Sequence, residues 1–189
     1  VSRREQILDA ATRLFSAYGF KKTSVDDVAS EAGISKPTLY AYFEDKEALF
    51  SSVCDRVLLR LHEDTKKAAA GKGPIEDVVA DLLAAKFTTL FELVDRHPHA
   101  RELIESSERI GADKVEKADA EFRGLLTQIL RTAVKKGHMT LRSDTKLSEL
   151  VDVLIQCGHG ASNTVEDSTA HRAQLRRSVK LVLFGASRR

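Results

Sequence analysis

The stretch from Val25 to Phe43 holds the side chains whose types and spacing point to a chemistry. Two short helical runs, 25–32 and 36–43, flank the break Gly33-Ile34-Ser35. Ala29 is small enough for two helices to cross, Gly33 tolerates positive φ, and Ile34 and Leu39 can anchor the pair from beneath. Ser35 can cap the second run, and Pro37 sits in its first turn, where a missing N–H costs little. Lys36, Thr38, Tyr40 and Tyr42 are left facing outward. Hydrogen-bonding and cationic groups at the start of a short helix suit insertion into the major groove of DNA. Structural αα-hairpins share this geometry, so the pattern alone leaves both readings open.

Other chemistries find less support. The chain has no GxSxG, HExxH, GxGxxG or GxxxxGK[ST] motif, and Gly71-Lys72-Gly73-Pro74 reads as a joint. Asp26 and Asp27 are adjacent, so a helix points them apart; they suit the positive end of a helix dipole better than paired catalysis. His97-Pro98-His99 places two imidazoles around a proline, with no Cys or carboxylate that completes a metal set. Cys54 and Cys157 stand far apart without CxxC spacing and read as small buried apolar residues. Neither an enzyme nor a metal or cofactor is expected.

The elements that position these residues are helices. Ten Gly and three Pro among 189 residues are about 7%, against ordinary usage of roughly 12%. A barrel or sandwich would need a turn every ten residues or so, built largely from those two types. The hydrophobic share of 42% with 31% charged residues permits a core and excludes a disordered chain. Ile7, Leu8, Ala11, Leu14, Phe15 and Tyr18 lie along one stripe of a helical period, with Ser2 and Glu5 as a capping box and Gly19 beyond its end. Further helices are predicted at about 45–70, 74–96, 98–110, 113–136, 143–165 and 168–184, making nine and no strand. The longest apolar run, Leu39 to Phe43, is far short of the ~20 residues of a membrane span. No apolar signal-like core leads the chain, so a cytoplasmic protein is expected, with a few residues preceding Val1.

Several of these positions, taken in order, are familiar. Ile7-Leu8-Asp9-Ala10-Ala11, Leu14-Phe15, Gly19, Thr23-Ser24, Val28-Ala29, Ala32-Gly33-Ile34-Ser35, Thr38-Leu39-Tyr40-Ala41-Tyr42-Phe43 and Lys46-Glu47-Ala48-Leu49 resemble the N-terminal domain of the TetR/AcrR family of transcriptional regulators. The resemblance covers about residues 5–50 without a gap; beyond it, only length and helix count agree. It implies an all-α homodimer with a three-helix helix-turn-helix domain over 1–47 and a ligand-sensing and dimerisation domain over 48–189. It also implies a repressor on a palindromic operator in double-stranded DNA, released by a small-molecule inducer. By position, Lys36, Pro37 and Thr38 would approach base edges, while Thr23, Tyr40, Tyr42 and Lys46 would hold phosphates. Leu39 and Phe43 fall on the buried side.

Charge sharpens this expectation. The whole chain carries 30 Lys and Arg against 28 Asp and Glu, a formal +2. Residues 1–50 hold Arg3, Arg4, Arg13, Lys21, Lys22, Lys36 and Lys46 against Glu5, Asp9, Asp26, Asp27, Glu31, Glu44, Asp45 and Glu47, so 7 − 8 = −1. Non-specific attraction to the phosphate backbone would be weak. Recognition must then rest on a few placed contacts and on symmetry.

The remaining chain speaks less clearly. Phe87, Leu90, Phe91, Leu103, Ile104, Phe122, Leu126 and Ile129 could line a pocket, although most must also build the core. Polar residues on buried stripes say more: Thr88, His97, His99, Gln128, Gln156, His159 and Asn163; Phe91, Gln156 and His159 are taken as the ligand candidates. In the last two helices Leu147, Leu150, Leu154, Gly158, Ala161 and Val165 form one line, and Leu175, Val179, Val182 and Ala186 another. These lines could face the monomer core; the resemblance favours a four-helix interface between two subunits, through Leu154, Gly158, Ala161, Leu175, Val179 and Val182. A helical small-molecule carrier, or a helix-turn-helix used for protein contacts without operator binding, is the alternative, set apart by the absence of salt-dependent DNA binding.

Overall fold

The computed structural model describes residues 2–95, 99–161 and 167–187. Eight helical elements run through them: α1 (Arg3–Tyr18), α2 (Val25–Glu31), α3 (Lys36–Tyr40), α4 (Lys46–Ala69), α5 (Ile75–Asp95), α6 (Ala100–Lys135), α7 (Leu147–Ala161) and α8 (Ser168–Ala186). Gly111, at φ −140° and ψ 34°, breaks α6 into two arms, which accounts for the nine predicted helical stretches. Extended pairing among the described residues is confined to a single bridge between Leu141 and Ser187.

Local chemistry sets the helix ends. Ser2 Oγ accepts the Glu5 N–H, and Ser24 with Asp27 forms a full reciprocal capping box. After α2, the Gly33 N–H bonds the Ser30 carbonyl and the Ile34 N–H bonds the Ala29 carbonyl. That double closure places Gly33 at φ 65°, a conformation glycine adopts without the clash a Cβ brings. Asp45 Oδ1 accepts the Ala48 N–H at 2.7 Å and starts α4. α7 begins at Leu147, later than the predicted cap at Ser143 or Asp144, and Asp144 is instead paired through both oxygens with the Arg142 guanidinium. Asp167, one residue ahead of the predicted Ser168 or Thr169, caps α8 by accepting the Ala170 N–H.

Two compact units divide the chain: Val1–Arg60 with Leu93–Lys117, and Leu61–Glu92 with Ala118–Arg189. Both α4 and α6 therefore contribute residues to each unit. In the first, Ile7, Leu8, Ala11, Phe15, Val28, Leu39 and Leu49 are buried in one core. Phe15, Phe20 and Phe50 form its aromatic centre, with ring centroids 4.8 to 5.7 Å apart. Arg56 pins α4 to α1 by donating to Asp9 Oδ1, the Leu8 carbonyl and Thr12 Oγ1. In the second, Leu82, Leu83, Phe87, Leu126, Leu130, Leu154, Leu175 and Val179 build the core. Among the described residues no helix is long and apolar enough to cross a membrane.

Candidate nucleic-acid interface

The first unit presents a short helix on a buried stem. Ser35 Oγ accepts the Thr38 N–H and lies 2.7 Å from Thr38 Oγ1, so one cap fixes both the start of α3 and the Thr38 rotamer. Leu39 is fully buried in the first core and Phe43 nearly so, as their positions predict. α3 ends at Tyr40 rather than Tyr42 or Phe43, because the N–H groups of Tyr42 and Phe43 both close on the Leu39 carbonyl. Tyr40 and Tyr42 remain about half exposed, at 45% and 46%. A helix of five residues is thus held from inside by Leu39 and shows Lys36 and Pro37 at its start and Tyr40 at its end, with Thr38 half-buried between them and Tyr42 just beyond.

Electrostatics explains how a unit without positive excess is arranged. Lys36 Nζ donates to Asp26 Oδ2 at 2.9 Å, and this bond, with the charge of Asp26, holds the ammonium above the ordinary lysine range. Arg13 pairs with Glu31, and the Arg4 guanidinium lies over the Phe43 ring. Lys46 turns back onto the loop before α2: its ammonium is 4.4 Å from the Phe20 ring centroid and donates to the Lys21 carbonyl. Burial there lowers its pKa, with the charges of Glu102 and Asp27 working the other way. Thr23 is buried, and its hydroxyl donates to the Gly19 and Leu14 carbonyls, so that side chain is already committed to holding the loop. The remaining predicted contact residues stay on the surface.

Residues 7–53 match the family described as bacterial regulatory proteins, tetR family. These residues form a tetR-family N-terminal domain. The uncharacterized HTH-type transcriptional regulator YhgD of Bacillus subtilis is 25% identical over 137 residues, 72% of this chain and 70% of that one. The HTH-type transcriptional repressor KstR2 of Rhodococcus jostii is 29% identical over 157 residues, 77% of this chain and 72% of that one. A transcriptional regulator of the TetR/AcrR family from Thermobifida fusca superposes with a TM-score of 0.73 at 23% identity, covering 98% of this chain and 99% of that one, which speaks to the fold. These relatives are transcriptional regulators, repressors among them, and not enzymes. The Ser35-capped α3 lies wholly within the matched residues.

The second unit treats its predicted residues unevenly. Phe91 is buried and stacks on His171, with ring centroids 4.7 Å apart and planes 16° from parallel. Gln156 and His159 are exposed on α7, the latter with its ring edge-on to Phe87 at 4.9 Å. Leu154, Gly158, Ala161, Leu175 and Val179 are buried in the unit's own core, and Val182 packs against it. The apolar side chains these two helices leave exposed are instead Val153, Leu181 and Phe184. Period-3.6 patterning names the more apolar face of a helix and cannot tell a monomer core from a partner. His97 and Asn163, and the side chains of Leu103 and Ile104, lie outside the described residues. No three His, Cys, Asp or Glu among the described residues are grouped to hold a metal.

Sequence reasoning passed over His171, which is fully buried with Nδ1 2.9 Å from Thr88 Oγ1. Burial, and then the charge of Arg172, lowers its pKa below the histidine value of 6.5. The folded chain therefore favours the neutral ring, while the unfolded chain takes up a proton at higher pH. This contribution to stability is complete above 6.5 and is lost as pH falls through the lowered folded value. Thermal melts from pH 7.5 to 5 are expected to show Tm falling with acidity, and less steeply in His171→Gln. Equal slopes in both proteins would remove His171 as the cause.

Proposed function

We propose that this chain is a dimeric repressor that binds a palindromic operator and is released by a small-molecule inducer. The observation that carries this reading is α3, seated by buried Leu39 and capped by Ser35, with Lys36, Pro37 and Thr38 at the end suited to base edges. Tyr40 and Tyr42, both about half exposed, are the phosphate candidates, and Lys46 serves the backbone after leaving the Lys21 carbonyl or through the loop it holds. Residues 1–47 do the reading; 48–189 sense the inducer and dimerise. The exposed Val153, Gln156 and Gly160 on α7, with Leu181 and Phe184 on α8, are the favoured partner face. Two-fold symmetry through it matches two half-sites. Phe91 and His159 remain the inducer candidates, and the released state is the one the inducer binds more tightly.

Selection of bound duplexes from a random pool, using the full chain, tests the reading. Enrichment of an inverted repeat is expected. Lys46→Ala is expected to weaken binding to every sequence alike and to reduce the salt slope by about 1. A pool that yields no enriched palindrome overturns the operator reading.

A further inference from the structure

The loop between α1 and α2 is held from outside its own helices. Gly19 has φ 84°, and a Cβ built on it would lie 2.5 Å from Glu102 Oε2 and 3.0 Å from Glu102 Cδ. A side chain here would displace this carboxylate, and the positive φ by itself favours glycine. Glu102, in the first arm of α6, uses the space: its Oε1 accepts the Lys21 N–H at 2.7 Å. On the other side of the same residue, Lys46 donates to the Lys21 carbonyl at 3.3 Å. Thr23 then closes the loop onto Gly19 O at 2.8 Å. Every one of these bonds fixes backbone between the end of α1 and Ser24, the cap of α2.

We propose that Glu102 is a positioning residue for DNA binding: its carboxylate, seated on Gly19, sets the backbone that presents Lys22 and the start of α2. This rests on the operator-binding reading above. A loop already fixed in its bound shape binds without an ordering cost; a loop released from Glu102 must be ordered when DNA arrives. Two other polar ties of α6, one on each side of Gly111, do something different. Arg109 pairs with Glu47 at 3.0 Å, and Lys114 reaches Ser51 and Asp55, so both hold α6 to α4 and neither touches the loop.

The test compares wild type, Glu102→Ala, Glu102→Gln and Arg109→Ala, as full chains, on the selected operator duplex and by amide hydrogen exchange of the free proteins. Glu102→Ala is expected to bind about tenfold more weakly, while Glu102→Gln, whose amide oxygen still accepts the Lys21 N–H, and Arg109→Ala stay within about twofold of wild type. The Lys21 amide is expected to exchange at least roughly tenfold faster in Glu102→Ala alone. If Glu102→Ala does not fold, Glu102→Asp, which draws the oxygens back by one methylene, is expected to give the same losses. Wild-type affinity in the deletion variant, an unchanged Lys21 exchange rate, or equal weakening in Arg109→Ala each overturns the proposal. If wild type selects no operator, the functional reading fails by itself, and the Lys21 exchange rate still decides whether Glu102 holds the loop.

Discussion

Lys36→Ala is expected to weaken operator binding by roughly 5- to 150-fold and to relax sequence preference at one base pair in each half-site. Lys36 stands at the first position of α3, behind a cap that fixes the helix start, so a lost side chain there removes a contact without moving the helix. Its ammonium is paired with Asp26 at 2.9 Å, and that acid has two consequences. It aims the lysine before DNA arrives, and it places a negative charge where phosphates approach. Asp26→Asn is therefore expected to tighten binding to all duplexes by a few fold at low salt, and the gain should shrink as salt screens the surface. Anisotropy titrations against the selected operator, point variants of it and a scrambled duplex separate these effects. Lys36→Ala should lose discrimination between operator variants, whereas Asp26→Asn should move operator and scrambled duplex together. A Lys36 variant that keeps the wild-type ranking of operator variants removes this residue from base reading, and Thr38 would then carry it.

The reading head was legible because it is written in local chemistry. Ser2, Ser24 and Ser35 cap helices within three residues of themselves, Gly33 sits where the turn demands positive φ, and Leu39 follows from its spacing to Ile34. Each of those relations spans fewer than ten residues. What stayed hidden depends on partners far along the chain. Glu102 meets Lys21 across 81 positions, and Thr88 meets His171 across 83. No periodicity announces either pair. Thr23 was a candidate for phosphate because of its place in the family pattern, yet its hydroxyl is spent on Gly19 and Leu14. The α7 and α8 stripes were a different difficulty. Leu154, Leu175 and Val179 have the spacing of an interface, but the same spacing serves the interior, and burial decided for the interior. Exposed Val153, Leu181 and Phe184 are less regular and so were less visible.

Gly158→Ala is expected to destabilise the second unit by about 2 kcal/mol net, although alanine is the better helix former by roughly 1 kcal/mol. The added methyl would stand 2.3 Å from Cδ2 and Cε2 of Phe87 and 2.7 Å from its Cζ, so α7 and the ring cannot both stay where they are. Phe87 has little freedom to yield. It is 3% exposed, packs perpendicular to Phe122 at 5.8 Å and receives the His159 ring at 4.9 Å. The alternative is for α7 to move outward, which would open contacts made by Leu150, Val151 and Leu154 in the same core. Phe87→Leu supplies the counter-test. Alone it should cost about 1–3 kcal/mol through lost contact and a residual void. Combined with Gly158→Ala it should cost less than the sum, by about 1 kcal/mol or more, because the leucine vacates the space the methyl needs. Urea titrations of the four proteins close this cycle. Additive losses would mean the methyl meets something other than Phe87, and a Gly158→Ala protein as stable as wild type would mean α5 and α7 do not approach this closely. A favourable cycle fixes more than packing: Gly158 leaves the space occupied by the ring that His159 touches, so the spacing between α5 and α7 would set how a change at His159 is felt at Phe87.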